Sequence, residues 1–213
     1  MLAATVSDAA LRKLNPYHDA LGRFTFAPGS PVSYGKPSDA KKPVGRWGGQ
    51  DPGAISVTLK NGKTVKGAND KPLLMPKGVS LADNVKQGEK LRAMPSVFTP
   101  GFFLPRYDTI FPPVKEGAMI YWFAPGQPMD YQRTRSSTDK INKAYIDFGN
   151  YNYGVVAAAA GYDVDQALFS AGVLNFLGGG DHSGEMNNNP RNVLWIRMGY
   201  SDYKKGLIIK TAY

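Results

Sequence analysis

Eight consecutive residues, 147–154 (DFGNYNYG), gather a carboxylate (Asp147), two amides (Asn150, Asn152), two phenols (Tyr151, Tyr153) and two glycines (Gly149, Gly154) into a segment with helical surroundings. Glycine inside a helix costs about 1 kcal/mol relative to alanine, so Gly149 and Gly154 point to close approach of a backbone or a ligand. On a helix, Asp147, Asn150 and Tyr151 share one face, a cluster that can hold a water or bind a sugar hydroxyl. Asp130, beside Tyr131 in a turn, is placed to supply a second carboxylate. Glycoside hydrolysis uses such a pair, one group as acid and the other activating water or attacking. The alternative is structural: Asp130 caps a turn, Asp147 pairs with Lys143, and the tyrosines pack.

Three glycines at 178–180 are followed by further acid–base groups, Asp181, His182 and Glu185. His182 could act as the base of a metal-independent ribonuclease, with Asp147 or Asp181 beside it and Arg191, Arg197 or Lys204 holding phosphate. The two histidines, His18 and His182, lack local ligand spacing and there is no cysteine, so no metal and no cofactor is expected. Zinc-ligand spacing, a phosphate-cradling glycine loop and a helix-turn-helix pattern are missing. RNA would therefore be held by dispersed charge and by stacking on Tyr145, Tyr151, Tyr153 and Tyr162, which equally suit saccharide rings.

A chain of 213 residues with 42% hydrophobic content holds one good core and an irregular arm, which excludes a large multidomain enzyme. Lys and Arg outnumber Asp and Glu by 26 to 17, for a net charge of +9. That surplus favours an anionic partner: RNA, an anionic cell-wall polymer or an acidic inhibitor. No stretch reaches about 18 consecutive apolar residues, so no membrane-spanning segment is expected. The N-terminus lacks the basic-then-apolar order of a signal peptide, so export would depend on another machine or a larger fused chain.

The elements that must position these groups divide at residue 94. Residues 1–94 read as a Gly/Pro-rich arm with a short hairpin, 54–60 and 63–66 flanking Asn61-Gly62, and a weakly helical 80–94 serving as leader, linker or appendage. Residues 95–213 read as the compact domain. There, 95–113 is an aromatic, proline-rich loop wrapped on the core, and 119–123 is an apolar strand. A helix capped by Ser136 or Ser137 carries Ile141, Tyr145, Phe148, Val155 and Ala159 and ends at Gly161. Asp163 and Gln166 form a capping box for a second helix with Ala167, Leu168, Ala171, Leu174 and Phe176 inside. Residues 191–203 fit short helix or strand, and 206–213 a final strand or packed tail. The class is α+β, a helical core built on an αα-hairpin with a few short strands.

Residues 117–205 resemble the bacterial polymorphic toxin type 44 family. The resemblance rests on DFGNYNYG, on Met129-Asp130-Tyr131 where the family often has Trp-Asp-Tyr, on the Ala-rich helix before Gly161, and on Asn189-Pro190-Arg191-Asn192 through Ile196, Gly199 and Tyr200. Family members tend to be more acidic where this chain has Asn188 to Asn192, which shifts weight to Asp181 or Glu185. Residues 15–24 (NPYHDALGRF) resemble a short module preceding appended domains in phage-like morphogenesis proteins, which makes His18 part of a junction.

The resemblance implies a bacteriocin-like toxin carried by a contact-dependent, type VI or phage-related delivery protein and neutralised by an immunity protein. The expected activity is hydrolysis of cell-wall peptidoglycan glycan in the target periplasm. Asp147 and Asp130 would be the acid–base pair, while Tyr131, Asn150, Tyr151, Asn152, Tyr153 and Arg191 contact substrate. A metal-independent ribonuclease acting in the target cytoplasm, using His182, is the second reading. The third is a non-enzymatic adaptor or structural domain of a secretion or phage-like particle.

Overall fold

The computed structural model describes residues 53–67, 69–96, 115–123, 127–133, 141–177 and 183–208. The chain divides into two units, Met1–Lys36 and Pro37–Tyr213, and every described residue belongs to the second. Five helices are present among these residues: α1 (Leu81–Leu91), α2 (Lys115–Phe123), α3 (Ile146–Ala159), α4 (Val164–Leu177) and α5 (Pro190–Lys204). One two-stranded antiparallel sheet pairs β1 (Ala54–Ser56) with β2 (Leu74–Pro76) in the register Ala54 to Pro76. The fold is α+β with a helical core, as expected.

Helix α3 is the centre of that core. From Phe148 to Ala159 every residue is buried, as befits a helix surrounded by neighbours rather than one with a wet face. Helix α5 crosses it at backbone contact. A Cβ built on Gly154 would lie 2.1 Å from the Ile196 carbonyl oxygen, and one on Gly199 would lie 2.1 Å from that of Tyr151. Only glycine fits at either point, which explains the glycine in the middle of α3. On another side, Gly88 of α1 meets the Val156 carbonyl and the Ala159 methyl. Arg92 Nε and Lys115 Nζ donate to the carbonyls of Ala159 and Ala160 at the C-terminal end, where cations complement the helix dipole.

In place of the expected hairpin of 54–60 with 63–66, the segment forms a three-armed β module in which 54–56 pair with 74–76 and a single bridge, Thr58 to Thr64, joins the two expected arms. Val57, Val65 and Leu73, eight residues apart, are buried together. Their amides close a ring: Val57 donates to Leu73, Leu73 to Val65 and Val65 to Val57, at 2.9, 2.8 and 2.9 Å. The bridges Thr58 to Thr64 and Lys66 to Pro72, with the β1–β2 pair, complete the arms. Left-handed residues recur at the same interval, Gly62 (φ 80°), Asp70 (φ 58°) and Gly78 (φ 89°), each turning the chain from one arm to the next.

Several expectations change. Residues 80–94 contain an 11-residue helix capped by Ser80 and buried through Ala82, Asn84, Val85, Gly88 and Leu91, so they pack on α3 instead of forming an appendage. The compact chain thus extends well before residue 95. Residues 119–123 are helical, not extended. Ala118, Met119 and Trp122 fall inside with helical spacing, and a short apolar run leaves period 2 and period 3.6 indistinguishable. Helix α3 starts later than expected: Asn142 caps a 3-10 turn, Lys143–Tyr145, that leads into it, and Ile141 is 48% exposed. Residues 191–203 lie within one helix, α5. No strand forms at 206–208. Residues 97–113, Ser136, Ser137, 209–213 and residues 1–52 lie outside the described residues.

Local signals elsewhere act as read. Gly161, at φ 84°, follows α3, with Tyr162 N donating to Ala157 O and Gly161 N to Ala158 O, the bond pair of a Schellman ending. Asp163 N donates to Gln166 Oε1 and Gln166 N to Asp163 Oδ1, a reciprocal capping box. Replacing Asp163 by alanine is expected to lower unfolding free energy by about 1 kcal/mol, measurable as a shift in urea midpoint at constant m.

Candidate functional site

The N-terminal turns of α3 and α5 meet at a carboxylate–guanidinium pair. Asp147 is the first-turn acid of α3. In α5, Asn189 caps the helix by accepting from Asn192 N, and Pro190 occupies the first turn, where its missing N–H is no loss. Arg191 then reaches back: its Nε donates to Asp147 Oδ1 at 2.6 Å and its Nη2 to Oδ2 at 3.0 Å. This bidentate fork raises the Arg191 pKa through those hydrogen bonds. One turn deeper, Asn150 Nδ2 donates to Asn192 Oδ1 at 3.0 Å, so the two helix starts are tied twice.

The pair borders a cleft of about 420 Å³ lined by Gly67, Asn69, Lys71, Pro72, Asp147, Arg191, Leu194 and Trp195. The lining mixes apolar and polar groups, with both kinds on the β module and on α5. Pro72, Leu194 and Trp195 present apolar surface, whereas Asn69, Lys71, Asp147 and Arg191 bring an amide, two cations and a carboxylate. A carboxylate has about four acceptor sites and Arg191 uses two, leaving capacity for a water or a substrate hydroxyl. Lys71 and Asn69 come from the β module, which sequence reasoning placed in the arm; their only sequence signal is the Asn69-Asp70 turn.

The other expected site residues fall elsewhere. Tyr131, Tyr151, Asn152 and Tyr153 are core residues at 0–5% exposure, so the expected substrate contacts give way to packing contacts. Tyr151 donates to Asp202 Oδ2 at 2.9 Å and sets its ring edge against Trp195. Tyr153 meets Phe123 edge-on at 4.9 Å. Tyr131 donates to Asn84 Oδ1, and Asn84 Nδ2 donates to Asn152 Oδ1 at 2.8 Å, a buried chain joining the turn after α2 to α1 and α3. Asn84 was not foreseen. Asn150 is buried and engaged by Asn192.

Asp130 is 6% exposed and is not on the cleft wall, so the expected pair of carboxylates does not face across that cleft. Asp147 pairs with Arg191 instead of Lys143. Glu185 is held by Arg197 at 2.6 Å. Asp181 and His182 lie outside the described residues.

Burial sets the acid–base behaviour of the tyrosines. Desolvation pushes the Tyr131 phenol up to about 12, and raises those of Tyr151, Tyr153 and Tyr162. The folded state thus releases these protons less readily than the unfolded chain. The stability contributed by neutral Tyr131 is complete below pH 10 and is lost as pH rises from about 10 to about 12. Melting temperature is expected to fall across that interval. Absorbance at 295 nm should show the buried phenols ionising together with loss of helical circular dichroism.

Among the described residues no group of three or more His, Asp or Glu forms a metal cluster, and no helix is long and apolar enough to cross a membrane. Comparison with protein-family models, curated proteins and solved structures gives no match. The fold and site therefore define a class by their own features: an α+β chain with a helical core and a cleft of mixed apolar and polar lining at paired helix N-termini.

Proposed function

We propose that this chain is an antibacterial effector that hydrolyses the glycan of cell-wall peptidoglycan at the Asp147 cleft. The carrying observation is a cleft that combines apolar side chains with hydrogen-bonding groups around a carboxylate that is oriented by Arg191 and 25% exposed. Sugar rings present an apolar face and a hydroxyl rim, and such a cleft suits both. Asp147 serves as the charged member of the hydrolytic pair, activating water or attacking the anomeric carbon. With Asp130 inside the core and Glu185 held by Arg197, the acid falls to Asp181, which lies outside the described residues. Action in the target periplasm calls for a delivery protein, and the producer is protected by an immunity protein.

A ribonuclease reading draws support from a specific feature, the presence of Lys71 and Arg191 on one cleft, since two cations suit a phosphodiester. Product analysis separates the two. Purified wild type and Asp147→Asn are incubated separately with peptidoglycan sacculi and with total RNA. Muropeptide release by wild type alone is expected. RNA fragments with intact sacculi would transfer the site to the second reading, and no product from either would favour a non-enzymatic adaptor.

A further inference from the structure

Residues 53–79 hold five lysines, Lys60, Lys63, Lys66, Lys71 and Lys77, against one aspartate, Asp70. All five are exposed. Lys66 is bound to Asp70 at 2.9 Å; the other four have no acidic partner among the described residues. The position of these charges follows from how the module sits on α5. At one end Gly67 lies against the Trp195 indole and Lys71 lines the cleft. At the other, Lys60 N donates to Leu207 O at 2.8 Å, in the segment that follows exposed Lys204 and Lys205. The module therefore accompanies a 15-residue helix, about 22 Å at 1.5 Å per residue, with cations at the cleft end and at the far end.

The residue types narrow the ligand. Residues 53–79 contain no Phe, Tyr, Trp, His or Arg. Single-stranded nucleic acid is gripped by aromatic stacking beneath bases as well as by charge, and arginine supplies planar, bidentate phosphate recognition that lysine does not. A lysine surface with no ring to stack beneath bases gains nothing from a nucleobase, so it suits a polyanion that carries none. We propose that the β module docks a base-free phosphodiester polymer of the bacterial envelope and so holds the adjoining cleft against the wall. The proposal rests on the wall-hydrolase reading of that cleft.

The test compares the full chain with a Lys60→Gln, Lys63→Gln, Lys77→Gln triple variant. These residues are exposed and are not on the cleft wall. Pelleting is measured on ice with sacculi carrying a glycerol phosphate polymer and with the same sacculi stripped of it. Soluble poly(glycerol phosphate) and poly(U) serve as competitors. Wild type is expected to bind the polymer-bearing sacculi at least about tenfold more tightly than the stripped ones. The triple variant should lose most of that difference. Its log–log salt dependence should fall by about 2, the value for three charges on a single-stranded polyanion.

Equal retention on both sacculi, retention unaffected by the triple substitution, or stronger competition by poly(U) than by poly(glycerol phosphate) would each overturn the proposal. Muropeptide release from stripped sacculi is read separately, and the triple variant should match wild type there. Absence of release by wild type would remove the hydrolase reading and leave the retention result standing.

Discussion

Asp147→Asn is expected to reduce glycan cleavage by about 10²- to 10⁴-fold, the span contributed by a positioned acid–base group, with little change in stability. Asparagine keeps the shape of aspartate and one acceptor for Arg191, but loses the charge and the second acceptor. The thermodynamic effect is small because Arg191 is 58% exposed and exposed ion pairs contribute roughly 0–1 kcal/mol. Initial rates of muropeptide release and a urea melt on the same preparation separate the two effects. Wild-type rates in the variant would remove Asp147 from the chemistry. A large fall in midpoint alongside lost activity would assign the pair a structural role, holding the starts of α3 and α5 together.

The largest stability effects are expected at the α3–α5 crossing. Alanine at Gly154 or Gly199 places a Cβ 2.1 Å from a helix carbonyl oxygen. Neither Ile196 O nor Tyr151 O can move away without its helix, so the crossing must open. Overpacking of this kind costs about 1–3 kcal/mol and sometimes more, against a gain of about 1 kcal/mol in helix propensity. Because an approach of 2.1 Å lies at the severe end of that range, a net loss of roughly 1–2 kcal/mol is expected for each single variant, seen as a lower urea midpoint with unchanged m. The double variant should lose less than the sum, because separation at one glycine makes room at the other. A loss below about 0.5 kcal/mol in either single variant would show that the helices are not held at backbone contact.

What could be read from the sequence was largely local. The Asp163–Gln166 box and the Gly161 ending each depend on residues a few positions apart, and each forms as expected; the chain also turns at Asn61-Gly62, but with Gly62 alone at positive φ and with 54–56 paired to 74–76 rather than to the second arm. Polar residues of 147–154 suggested chemistry because their partners lie far along the chain. Asn152 meets Asn84 across 68 residues, Tyr151 meets Asp202 across 51 and Asn150 meets Asn192 across 42. Once those bonds are made, amides and phenols become core components, and of the run only Asp147 lines the described cleft. Met119 and its neighbours were ambiguous for a different reason: five residues are too few to reveal a period. Lys71 was hidden because 1–94 reads as a polar arm until its eight-residue spacing of buried Val57, Val65 and Leu73 is seen in three dimensions.

The closed hydrogen-bond ring of the β module bears on self-association. An exposed strand edge is a template for another chain, and proteins limit that hazard with short edges and lysine. Here each arm pairs with one neighbour on one side of its central residue and with the other neighbour on the far side, so no arm offers a long run of unpaired amides. The exposed lysines add repulsion between copies. Such a surface can be concentrated along a polymer, many molecules side by side, without strands of one copy adding to those of the next.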